Sequence, residues 1–82
     1  MLIRVTAEDI YQGERYRAFS CPVAIALRRH LEDPTEFVDY RKDLSGYCCS
    51  RGPLPNSLTS TVDAYDRTGV MRPFEFELQT SE

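Results

Sequence analysis

The stretch Ser20-Cys21-Pro22-Val23-Ala24-Ile25-Ala26-Leu27-Arg28-Arg29-His30-Leu31 decides the fold class. Proline is favoured in the first turn of a helix, where its missing N–H costs nothing. Ser20 or Cys21 can cap the free amides beside it. Val23, Leu27 and Leu31 recur at i, i+4, i+8, while Ala24 and Ala26 are small enough for close packing and Arg28, Arg29 and Glu32 fall towards the outer face. The spacing predicts an amphipathic helix that Pro34 ends.

On the N-terminal side, Leu2 to Val5 reads as a first strand with Ile3 and Val5 on one face. Thr6 then stands as an N-cap with Asp9 at N3 and Gly13 just past the end, giving one or two helical turns. Glu14 to Phe19 has mixed signals and reads as a loop. On the C-terminal side, Thr35 to Arg41 and Leu44 to Cys49 are rich in strand formers on either side of the polar Lys42-Asp43 link, which predicts a β-hairpin. Arg51-Gly52-Pro53-Leu54-Pro55 breaks regular structure. Asn56 can cap a helix with Leu58, Val62 and Tyr65 on one face and Gly69 at its end, although the β-branched Thr59, Thr61 and Val62 leave a strand as the alternative. Phe74 to Leu78 alternates apolar and acidic residues, the pattern of a half-buried strand, and Pro73 must sit at its start or on an edge. The order is strand, helix, strand, strand, helix, strand. It predicts one α+β domain over residues 1–82, an antiparallel sheet with two helices in the ferredoxin-like βαββαβ order.

Composition narrows the function classes. A chain of 82 residues buries only about 60 to 65% of its unfolded surface, which leaves little room for a substrate cleft within one protomer. No apolar run approaches the roughly 18 residues of a membrane span, and the start Met1-Leu2-Ile3-Arg4-Val5 lacks the pattern of a signal peptide, so a cytoplasmic protein without membrane contact is expected. Cys21, Cys48 and Cys49 are odd in number and do not make a disulfide framework. With His30 the single histidine, no zinc site is expected either. The acidic balance, 13 carboxylates against ten cations, argues against general nucleic-acid binding. There is no Gly-rich phosphate loop, HExxH motif or GxSxG elbow. No catalytic residue and no cofactor are assigned; the enzyme alternative is a small nucleotide hydrolase using His30.

The cations themselves are distinctive: nine of the ten are arginine, with Lys42 the only lysine. A GC-rich coding sequence gives the same bias, but arginine is also the residue of bidentate phosphate and carboxylate recognition. Arg15 and Arg17, with Tyr16 between them, precede the Ser20-Cys21-Pro22 helix start. Free amides, the helix dipole, two guanidinium forks and an aromatic ring together suit a phosphate-bearing ligand. Arg51, in the turn after Cys48-Cys49, is a second candidate contact. Tyr11, Tyr16, Tyr40, Tyr47 and Tyr65 are either core-edge residues or, where exposed, an interface, since tyrosine and arginine are enriched at binding hot spots.

Ile3-Arg4-Val5-Thr6-Ala7-Glu8-Asp9-Ile10, Cys21-Pro22-Val23-Ala24-Ile25-Ala26-Leu27 and Arg72-Pro73-Phe74-Glu75-Phe76-Glu77-Leu78 resemble small uncharacterised proteins of tailed phages and prophages. The resemblance implies a stoichiometric antagonist of a bacterial defence system rather than a catalyst. The expected function is sequestration of a phosphate-bearing signalling nucleotide by Arg15, Tyr16, Arg17, Ser20, Cys21 and Arg51, in a homo-oligomer whose interface completes the pocket. The alternative is a protein–protein inhibitor of a host or defence complex, acting through an acidic and tyrosine-rich surface.

Overall fold

Leu2–Val5 forms strand β1, with Ile3 and Val5 buried and Leu2 and Arg4 exposed, as the alternation requires. The computed structural model describes residues 1–15, 17–44 and 46–78. Helix α1, Ala7–Gln12, begins with the capping box read from the sequence: the Asp9 N–H donates to Thr6 Oγ1 at 3.2 Å and the Thr6 N–H to Asp9 Oδ2 at 2.9 Å. Burial works against the charge on Asp9, yet the hydrogen bonds from Arg29 and Thr6 outweigh it and hold the carboxyl below its ordinary range. Gly13 follows with an extended backbone, φ −74°, and not the left-handed one that a glycine C-cap leads one to expect.

Helix α2 runs over Pro22–Leu31 with Cys21 as its N-cap. Val23, Ala24, Ala26 and Leu27 are fully buried against β1 and α1. Glu32, at φ 53°, closes the helix, two residues before Pro34. The hairpin consists of β2 (Asp39–Arg41), a 3₁₀ turn over Lys42–Leu44 and β3 (Gly46–Cys49), antiparallel with Tyr40 opposite Tyr47. Helix α3, Asn56–Thr68, settles the helix-or-strand ambiguity: Leu58, Val62 and Tyr65 are all buried at helical spacing. Its N-cap is Pro55, without a side-chain hydrogen bond, so Asn56 is the first helical residue and not the cap. Gly69 ends it at φ 75°, its N–H donating to the Tyr65 carbonyl at 2.7 Å. Strand β5, Phe74–Glu77, pairs antiparallel with β1.

One four-stranded ferredoxin-like sheet would require β1 beside β3, and the structure departs from that expectation. After Cys49 the chain turns back through Ser50 and Arg51, and Gly52–Pro53 pairs with β3 as a short strand β4. The second edge of β3 is thereby filled. The described residues form two antiparallel sheets, β1–β5 and β2–β3–β4, in an α+β fold with three helices. One apolar cluster joins them, running from Ile3, Phe76 and Leu78 through Val23 and Leu27 to Leu54, Leu58 and Val62.

Candidate functional site

The hairpin register builds the most distinctive surface of the molecule. Placing Tyr40 opposite Tyr47 brings their rings edge to face, with centroids 5.4 Å apart and planes at 71°. The Tyr47 hydroxyl crosses to α3 and donates to Asp63 Oδ1 at 2.8 Å. Burial first, and then the Asp63 carboxylate, push the Tyr47 phenol up from its ordinary value, so it stays a protonated donor at any physiological pH. Asp63 and Asp66 share a flank of α3 because they are three residues apart, next to the buried Val62 and Tyr65.

Two adjoining hollows lie over this arrangement and share Tyr40, Tyr47 and Asp66. The larger, about 630 Å³, is completed by Asp63 and Arg67. The smaller, about 250 Å³, extends past Asp39 and Val62 to Arg17, Ala18, Val38 and Cys21. The hairpin is tied to the loop ahead of α2 by the Val38 N–H, which donates to the Ala18 carbonyl at 2.9 Å. The described lining therefore presents three carboxylates, two guanidiniums and two phenols in one open groove.

Of the residues singled out in the sequence, Arg17 and Cys21 reach this groove, and Arg17 is also 3.7 Å from the Glu14 carboxylate. Arg15 turns to the backbone at the C-terminal end of α3: its Nε donates to the Asp66 carbonyl at 2.8 Å and its Nη2 to the Arg67 carbonyl at 2.7 Å. These are among the last carbonyls of a helix, which have no partner within the helix itself. Tyr16 lies outside the described residues. Ser20 closes the loop, its carbonyl accepting from the Glu14 N–H at 2.7 Å and its N–H donating to the Arg17 carbonyl at 3.2 Å.

Cys21 Sγ accepts from the Ala24 N–H at 3.4 Å, so a buried thiol caps the helix start that the sequence offers as an anion site. Burial pushes that thiol up, which keeps it neutral. Arg51 is outside the groove, its Nε 3.8 Å from the buried Glu36 carboxylate. His30 Nε2 accepts from the Arg4 N–H at 3.0 Å, a structural use of the lone imidazole.

Among the described residues, no group of three or more His, Cys, Asp or Glu could hold a metal ion, and no helix is long and apolar enough to cross a membrane. Comparison with protein-family models, curated proteins and solved structures finds no match.

Sequence reasoning named both tyrosines but missed Asp39, Asp63, Asp66 and Arg67. One signal was available. Asp63 and Asp66 flank an apolar i, i+4, i+7 face at i, i+3 spacing, so both carboxylates must stand beside whatever that face covers.

Proposed function

We propose that the protein acts as a stoichiometric binding protein whose groove receives a basic side chain, arginine above all, from a partner protein. The observation that carries this reading is the Tyr47–Asp63 hydrogen bond beneath the Tyr40–Tyr47 ring pair, because it fixes a carboxylate beside aromatic rings in an open hollow. A carboxylate has about four acceptor sites, so one bond from Tyr47 leaves capacity for a guanidinium. A ring within about 6 Å adds cation–π attraction.

Capture of a phosphate-bearing nucleotide rests on fewer groups than its sequence motif offered. Arg15 holds helix carbonyls and Cys21 takes an N-terminal amide of α2, which leaves Arg17 and Arg67 on a groove with three carboxylates. The resemblance to phage proteins supplies the setting of the proposal, a host or defence component in the bacterial cytoplasm as the partner.

The test is titration of the labelled protein with an arginine-rich peptide, a glutamate-rich peptide and a panel of nucleotides, read by NMR. The expected result is a response at Tyr40, Tyr47 and Asp63 to the arginine peptide alone. Asp63→Asn keeps an acceptor for Tyr47 but loses the charge, and it should weaken that binding by about tenfold or more, as loss of a charge-assisted hydrogen bond implies. Nucleotide binding that Arg17→Ala or Arg67→Ala abolishes would overturn the reading in favour of sequestration.

A further inference from the structure

The two-stranded sheet has one edge that is closed at Arg4 and one that is open along its length, and its hydrogen-bond phase tells which is which. The Met1 amino group donates to the Leu78 carbonyl at 3.0 Å, and the Leu78 N–H donates to the Met1 carbonyl at 2.8 Å. In an antiparallel ladder such bonded pairs recur every second residue, so Ile3 with Phe76 and Val5 with Phe74 are the next bonded pairs. The backbone groups of Leu2 and Arg4 on β1, and of Glu75 and Glu77 on β5, therefore point away from the ladder.

On β1 that outward edge is closed at Arg4. Its N–H reaches His30 Nε2 at 3.0 Å and its carbonyl accepts from Arg29 Nη2 at 3.0 Å, both from the end of α2. On β5, no described residue bonds the outward N–H and C=O groups of Glu75 and Glu77.

Charge identifies what this open edge can receive. The side chains of Glu75 and Glu77 share the exposed face of β5, while Phe76 and the half-buried Phe74 lie on the other. Each glutamate meets one cation on the β1 side, Arg4 at 3.3 Å and the Met1 amino group at 2.8 Å, and among the described residues neither carboxylate has a second ionic partner. A second copy adding through β5 would set glutamate against glutamate, which opposes pairing.

We propose that the edge of β5 adds an extended segment of a partner protein that alternates basic and apolar residues, with the basic side chains beside Glu75 and Glu77 and the apolar ones beside Phe74 and Phe76. Backbone hydrogen bonds would supply adhesion, and the alternating side chains would supply selectivity. This surface is independent of the Tyr40–Asp63 groove.

The probe is a seven-residue peptide alternating lysine and valine, compared with its glutamate–valine counterpart. Two further versions carry N-methyl groups on one or the other alternate set of residues. The expected result is that the lysine peptide binds and slows exchange of the Glu75 and Glu77 amide protons, while the glutamate peptide does not bind.

Methylation of the alternate set facing β5 should abolish binding, and methylation of the other set should leave it within about threefold. Glu75→Gln/Glu77→Gln removes only exposed ion pairs, so it should fold normally and level the preference between the lysine and the glutamate peptides. Equal binding of both methylated peptides would reduce the effect to charge alone and overturn strand addition. Amide protection of Glu75 and Glu77 without peptide, together with a dimer by light scattering, would overturn it in favour of a second copy.

Discussion

Glu36→Ala is expected to cost the fold about 3–5 kcal/mol, as removal of a paired buried charge does. A domain of this length has only about 4–12 kcal/mol to lose. Glu36 is 0% exposed and organises the entry to the hairpin and the turn after β3 at once. Its Oε1 accepts from the Phe37 N–H at 3.1 Å and the Ser50 N–H at 2.8 Å; its Oε2 accepts from the Ser50 hydroxyl at 2.7 Å and stands 3.8 Å from Arg51 Nε. Alanine would leave two amides and a hydroxyl without their acceptor and open a cavity in the place of the carboxylate.

Glu36→Gln separates geometry from charge. Its amide oxygen can keep both backbone donors and its NH₂ can donate to the Ser50 hydroxyl, so a loss of about 1–2 kcal/mol is expected, mainly from the lost attraction to Arg51. Urea unfolding of the two variants measures both effects. Equal, small losses would mean that the carboxylate does not anchor the turn.

The second large effect is expected at Gly13, for a reason unrelated to backbone freedom. Its φ of −74° and ψ of 158° suit any residue, so alanine there would gain a few tenths of a kcal/mol through the unfolded chain if space allowed. Space does not allow it. A β-carbon on residue 13 would stand 2.6 Å from Pro22 Cδ and Cγ and 2.8 Å from Pro22 N, atoms of a rigid ring at the start of the helix that carries much of the core. Gly13→Ala should therefore cost about 1–3 kcal/mol by forcing the end of α1 away from the start of α2.

Pro22→Ala removes the ring that obstructs, so the pair Gly13→Ala/Pro22→Ala should be more stable than the sum of the single effects by about 1 kcal/mol or more. Additive thermal or urea midpoints across the cycle would show that the contact is not the cause.

Elements with a sustained apolar period were legible in the sequence, and features created by two-residue or tertiary events were not. Val23, Leu27 and Leu31 declared α2, Leu58, Val62 and Tyr65 declared α3, and the alternation from Phe74 to Leu78 declared β5. Gly52–Pro53 is too short to carry any period, so nothing in the sequence announced that β4 would take the edge of β3 and divide the sheet. Glu36 gave no warning of its burial because glutamate is ordinarily exposed; only the fold supplies its partners.

The site was half legible in the same sense. Arginines before a helix start were visible, but whether Arg15 would face a ligand or the last carbonyls of α3 depends on contacts 51 and 52 residues away along the chain. The Tyr40–Tyr47 pair depends on hairpin register, which is set by turn geometry and the buried face together.

The arginine bias acquires a further meaning from where the guanidiniums end. Arg15 bonds the carbonyls of Asp66 and Arg67, Arg28 that of Glu36, Arg29 that of Arg4 and Arg67 that of Asp63. A carbonyl neither titrates nor is neutralised by a counterion, whereas exposed ion pairs fade as salt rises. Dissolved ions should thus weaken the surface ion pairs of this small domain more than the arginine–backbone bonds, of which those of Arg15, Arg28 and Arg29 reach other segments of the chain.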